Sequence, residues 1–155
     1  MGQVDVQEEW VRWDTGYRLP TSEWEYAARG GAVGKRFPWG GDTITHSQAD
    51  YYDLNWSDYD LSSGGYHDTY ETGGTPYTSP VGSFAASAYG LYDMAGNVRE
   101  WCTDWHPCHE GSSRVLRGGS WRGYAYFCRV GARYTHYPGF SAYGGGFRAV
   151  LPPGQ

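Results

Sequence analysis

Lysine is nearly missing from this 155-residue chain: Lys35 is the only one, and the other eleven basic residues are arginines. Cysteine is scarce, with Cys102, Cys108 and Cys128 alone, too few for a disulfide framework. No long apolar run occurs and mean hydropathy is −0.67, so a membrane-spanning helix is not expected. No basic segment with an apolar core follows Met1, so no signal peptide is read; export by another route stays open. Acids are absent after residue 110. All 17 lie in residues 1–110, which leaves that part at −11 and residues 111–155 at +6. An overall charge of −5 argues against a general nucleic-acid binder, while the basic tail suits an anionic ligand or pairing with the acidic half.

What the chain has in excess is glycine, 24 residues, and aromatic rings, 18% of the sequence with 15 tyrosines. That composition describes a turn-rich globular domain whose rings supply the core. Residues 7–13 form a candidate short helix. Ser22 with Glu25 three positions later signals a capping box, opening a helix to about Arg29 that Gly30 and Gly31 stop. From Phe37 to Pro80 no period is sustained, so long ordered loops are expected. Strands are predicted at 97–103, 114–117, 126–133 and 147–150, which makes the fold class α+β.

Six motifs occur in order: RLPTSEWEYAARGG at 18–31, FPWG at 37–40, SPVGSF at 79–84, GLYDMAGNVREW at 90–101, RVLRGGSW at 114–121 and GGFRAV at 145–150. Together they resemble the formylglycine-generating enzyme, or sulfatase-modifying factor, domain family over residues 18–155. The resemblance implies a single domain, 1–155, with a C-type-lectin-like fold of that type, loop-rich with short antiparallel strands. It also implies that the family's usual longer N-terminal portion is missing.

Asp93 and Glu100 are hard oxygen donors of the kind calcium prefers. The resemblance matches the family's calcium site to Asp93, Gly96, Val98 and Glu100; the alternative is an Asx turn at Asp93 and an arginine partner for Glu100. Asp50 and Tyr51 fall near a second family site, but the loop around them departs from the pattern. The resemblance implies a copper-dependent oxidase in which two thiolates after the GGS motif hold Cu(I) and activate oxygen. Here the second position is Cys128 and the first is Gly123, so oxidation of a substrate cysteine is not expected. Cys128 alone reads as a small buried hydrophobe. Cys102, His106, Cys108 and His109 offer zinc-type donors at an unfamiliar spacing, with a disulfide, free thiols or plain loop residues as alternatives. Asn55-Trp56-Ser57 is a glycosylation sequon, relevant only in a secreted eukaryotic setting.

Residues 122–147 interleave five tyrosines with small and polar residues, the vocabulary of antibody loops. Lys, Glu, Gln, Met and Trp number 21 in residues 1–121 and none in 122–150. Those are the five types that codons ending in cytosine cannot encode, the outcome expected if the first two bases of AAC codons are randomised. The pattern resembles the variable proteins of diversity-generating retroelements, which display a mutated C-terminal segment on a lectin-like scaffold. By that resemblance Trp121, Cys128, Arg129, Arg133, Pro138, Gly146, Phe147 and Arg148 are scaffold, and 122–143 is the variable ligand-binding segment. Its contact positions are Arg122, Gly123, Tyr124, Tyr126, Phe127, Tyr134, Thr135, His136, Tyr137, Phe140, Ser141 and Tyr143. The expected activity is non-catalytic recognition of a protein or other macromolecule. The alternatives are a formylglycine-generating oxidase or a relative with altered metal ligands, and a fragment completed by another chain.

Overall fold

A computed structural model describes Gln3–Asp5 and residues 18–150. The candidate helix at 7–13 lies outside the described residues. The first regular elements are β1 (Gln3–Asp5) and α1 (Thr21–Arg29), followed by β2 (Arg99–Trp105) and β3 (Arg114–Arg117). A 3₁₀ turn (Ala125–Cys128), β4 (Tyr134–His136) and β5 (Gly145–Arg148) complete the order. The five strands form one sheet in the order β1-β5-β2-β3-β4. Most neighbours are antiparallel, as the α+β expectation holds. β2 and β5 run parallel instead, with Arg99 opposite Gly145 and Glu100 opposite Gly146.

Helix α1 runs where expected, but not with the expected cap. Pro20 occupies the N-cap and makes no side-chain cap bond; Thr21 N–H instead donates to the Asp104 carboxylate of β2. A carboxylate from another element thus satisfies one of the orphan donors of the first turn. Gly30 ends the helix in the left-handed region at φ 55°, with its N–H on Ala27 O.

The strand expected at 126–133 is not there, and the reason is electrostatic. Arg117, whose side chain is wholly buried, donates to the carbonyls of Val130 and Ala132. Those oxygens are the acceptors a strand would have given to a ladder. Ala125 and Cys128 turn inward in the 3₁₀ segment, and strand geometry resumes only at Tyr134, where β4 pairs with β3.

Two apolar clusters form the interior. Phe37, Ile44, Ala49, Tyr51, Ala95, Ala125 and Cys128 make one, with Trp39 and Tyr59 packed against it. Trp24, Ala28, Met94, Cys102, Val115 and Val130 make the other. Each large apolar side chain buried this way contributes roughly 1.5–3 kcal/mol relative to exposure. No regular element spans Phe37–Pro80, as expected; isolated bridges such as Ile44 with Asp60 and Asp53 with Gly65 order it. Gly96 is where this loop region meets the late strands. At φ 77° it lies so close to Asp50 that a Cβ would collide with the Asp50 carbonyl, and Asn97 N–H bonds that same oxygen at 2.7 Å.

Candidate ligand-binding face

The segment 122–143 leaves the core at Trp121 and returns beside it. Trp121 is 2% exposed, its backbone N–H donates to Asn97 O, and its indole Nε1 donates to Tyr143 O at 2.8 Å. Gly123, buried, gives its carbonyl to Tyr52 N–H at 2.9 Å. Between these anchors the side chains diverge. Tyr124, Tyr126, Tyr137 and Tyr143 are 41%, 51%, 55% and 55% exposed, and Arg122 and Ser141 are exposed too. Phe127, Tyr134, Thr135, His136 and Phe140 are half-buried. Four of the five tyrosines thus face solvent.

Three ring groups organise this surface. Trp121 touches Tyr66 and Tyr77, Tyr66 meets Tyr52 edge-on at 4.5 Å, and Tyr52 leads through Tyr124 to Trp56, which is 80% exposed. Phe127 stands perpendicular to Tyr134 at 5.7 Å and edge-on to Tyr126. His136 stacks on Phe140 and meets Tyr137 edge-on. Arg99 of β2 lies among them: its guanidinium sits 4.5 Å from the Tyr134 ring centre and 5.8 Å from that of Phe127. A Cβ on Gly123 would come within 3.2 Å of Arg99 Nη2. Among the described residues the Arg99 guanidinium has neither a carboxylate nor a carbonyl partner, and burial pulls its pKa down. Tyr52, Trp56, Tyr66, Tyr77 and Arg99 were not singled out in the sequence. The density of aromatics in 51–77 was the only signal for the four rings, and Arg99 had none.

The thiols sit apart from each other. Cys128 is fully buried, and burial pushes its pKa up to about 12. Cys102 is buried in the second cluster, while Cys108 is exposed. His106 Nδ1 and His109 Nδ1 lie 3.2 Å apart. Among the described residues no three His, Cys, Asp or Glu side chains converge as a metal would require.

The four residues matched to calcium fit the ion only in part. Asp93 is buried, with Oδ2 on Gly82 N–H and Oδ1 lacking a hydrogen-bond partner. Glu100, however, accepts from Arg148 Nε and Nη2 on both oxygens and from Trp24 Nε1 at 2.6 Å, leaving no lone pair aimed elsewhere. Asp50 is also buried; its Oδ2 accepts Ser79 N–H, and burial raises its pKa to about 7.

The model of the sulfatase-modifying factor enzyme 1-like domain matches residues 3–152. The formylglycine-generating enzyme of Thermomonospora curvata is 38% identical over 159 residues, covering 89% of this chain and 50% of its own. That of Mus musculus is 36% identical over 152 residues, covering 87% of this chain and 39% of its own. Among solved structures, Treponema denticola variable protein 1 aligns with a TM-score of 0.62 at 35% identity, over 84% of this chain and 46% of that one. PvdO from Pseudomonas aeruginosa gives 0.61 at 30%, over 87% and 53%. The chain spans about half the length, or less, of these relatives.

Proposed function

The chain belongs to the sulfatase-modifying factor family, and from that premise we propose that it is a non-catalytic recognition module whose 122–143 segment is diversified for ligand binding. The observation that carries this reading is the outward projection of Tyr124, Tyr126, Tyr137 and Tyr143 from a neck closed by Trp121 and Tyr143. Rigid, amphipathic rings give contact area at low entropy cost, and Arg99 and Arg122 add forked donors for a carboxylate on a protein partner. Similarity to a variable protein of Treponema denticola supports the same reading. Loss of one thiolate position to Gly123 speaks against the oxidase alternative. Calcium stands beside this as a structural proposal: Asp93 Oδ1 is the buried oxygen left for it, with the Gly96 and Val98 carbonyls, and Glu100 would have to give up Arg148.

The test is at the gene. A reverse transcriptase beside a near-identical template repeat, with substitutions between isolates confined to adenine positions of codons 122–143, supports the reading. Stoichiometric Cu(I) binding with conversion of a CxPxR peptide to the aldehyde overturns it.

A further inference from the structure

An open cleft of about 280 Å³ lies between the end of α1, the turn at 35–36 and residues 129–132. Arg29, Lys35, Arg36 and Arg129 line it, and no acid does. The carboxylates nearby are oversubscribed. Glu25 alone takes Arg29 at 2.8 Å, Arg117 at 2.6 Å and Arg133 at 3.1 Å, and Lys35 pairs with Asp42 at 2.9 Å. Arg36 and Arg129 make no ion pair among the described residues. Arg36 donates Nη1 to the Asp42 carbonyl and lies 4.4 Å from the Tyr59 ring centre. Arg129 donates Nε to Tyr126 O and lies 3.7 Å from that ring's centre. Stacking and the Nε bond fix the Arg129 fork while leaving its two Nη groups for an incoming acceptor.

We infer that this cleft is a binding site for a phosphate-type oxyanion, held by Arg36 and Arg129 with Arg29 and Lys35 supplying further positive charge. Asp42 lies beside Arg36, accepting its backbone N–H, but its ion pair is with Lys35; two guanidiniums held by stacking and carbonyls rather than by ion pairs are suited to bidentate capture of such a group. The volume lies just under the roughly 300–1,000 Å³ of whole small-molecule sites, so the cleft takes an anionic group or a small monoester rather than a large ligand. The site does not depend on the tyrosine face binding a partner, although the Tyr126 ring borders both.

Calorimetric titration at fixed ionic strength and neutral pH, with inorganic phosphate and with phenyl phosphate as probes and chloride as the reference ion, tests this. Saturable binding is expected, weakened about tenfold by Arg129→Gln or by Arg36→Gln, the cost of one charged hydrogen-bonding partner. Tighter binding of phenyl phosphate identifies an esterified source, and equal binding the free ion; either result supports the site. No saturable binding of either probe beyond chloride overturns the inference. So does binding that both substitutions leave unchanged in protein whose thermal unfolding matches the parent.

Discussion

Arg148 of β5 holds Glu100 of β2 in a bidentate ion pair, Nη2 to Oε1 at 2.7 Å and Nε to Oε2 at 3.0 Å, with both side chains 2% exposed. The pair joins neighbouring parallel strands, and Trp24 brings α1 onto the same carboxylate. Removing one member of a buried pair strands the other charge. Arg148→Met is therefore expected to cost about 3–5 kcal/mol in urea denaturation, and Arg148→Met with Glu100→Leu to regain most of it. A loss below about 1 kcal/mol for the single variant would contradict this account of the pair.

The three cysteines differ in access rather than in sequence context. Cys108 is exposed, while burial pushes Cys102 and Cys128 each up to about 12. A thiol reagent such as dithiobis-nitrobenzoate should modify one cysteine quickly in the native protein and the other two only on unfolding. Rapid release of three equivalents would show the assigned burial to be wrong.

Asp50 makes stability depend on pH. Its folded pKa, raised by burial to about 7, lies above the ordinary 3.8, so the native state binds the proton more tightly. This contribution is complete below about pH 4 and is lost as pH climbs through 7. The melting temperature is expected to fall between pH 5 and pH 8, and Asp50→Asn, which keeps an acceptor for Ser79 N–H, to flatten that fall. An unchanged slope in the variant would remove Asp50 as its cause.

Exposure divides the rings of the candidate face into those the fold needs and those it does not. Tyr124→Ala and Tyr137→Ala should each alter stability by less than about 0.5 kcal/mol, the usual bound for surface changes. Trp121→Ala should cost about 3–5 kcal/mol. Urea denaturation distinguishes them; equal losses would mean that the tyrosines are structural.

Calcium gives a direct readout in thermal melts. If Asp93 Oδ1 coordinates the ion, millimolar calcium raises the melting temperature over the chelated protein, and Asp93→Asn reduces the rise. Identical melts with calcium and with chelator would leave Asp93 and Glu100 as the resting partners of Gly82 and Arg148 only.

Local signals explain which features were legible. Gly30 stops α1 where the sequence says it does, because a left-handed C-cap is a property of two or three residues. The sequence places β3 at its observed bounds and β2 within two residues at either end. The cap failed because its acceptor, Asp104, comes from 83 residues away, and Glu25, read as a capping-box member, serves Arg29, Arg117 and Arg133 instead. The strand at 126–133 failed for the same kind of reason, since Arg117 claims its carbonyls from another element. The arginine-rich tail does answer the acidic half at Arg117, Arg133 and Arg148. Outward tyrosines were legible from composition. Arg99 was not, because an arginine in NVREW carries no mark of the rings that the fold gathers round it.

The bond from the Trp121 indole to Tyr143 O closes residues 122–143 into an excursion whose two ends are fixed at one point. Within it, β4 adheres to β3 through backbone groups, which are indifferent to side-chain identity. Such an arrangement separates spelling from length. Its exposed residues, such as Tyr124 and Tyr137, can be exchanged while Ala125, Cys128 and Val130 stay in the core, whereas one residue inserted or deleted would slide Tyr143 off the indole and carry Gly145 out of line with Arg99. On the proposed reading of this segment, variety at this end of the molecule would thereby be channelled into substitutions.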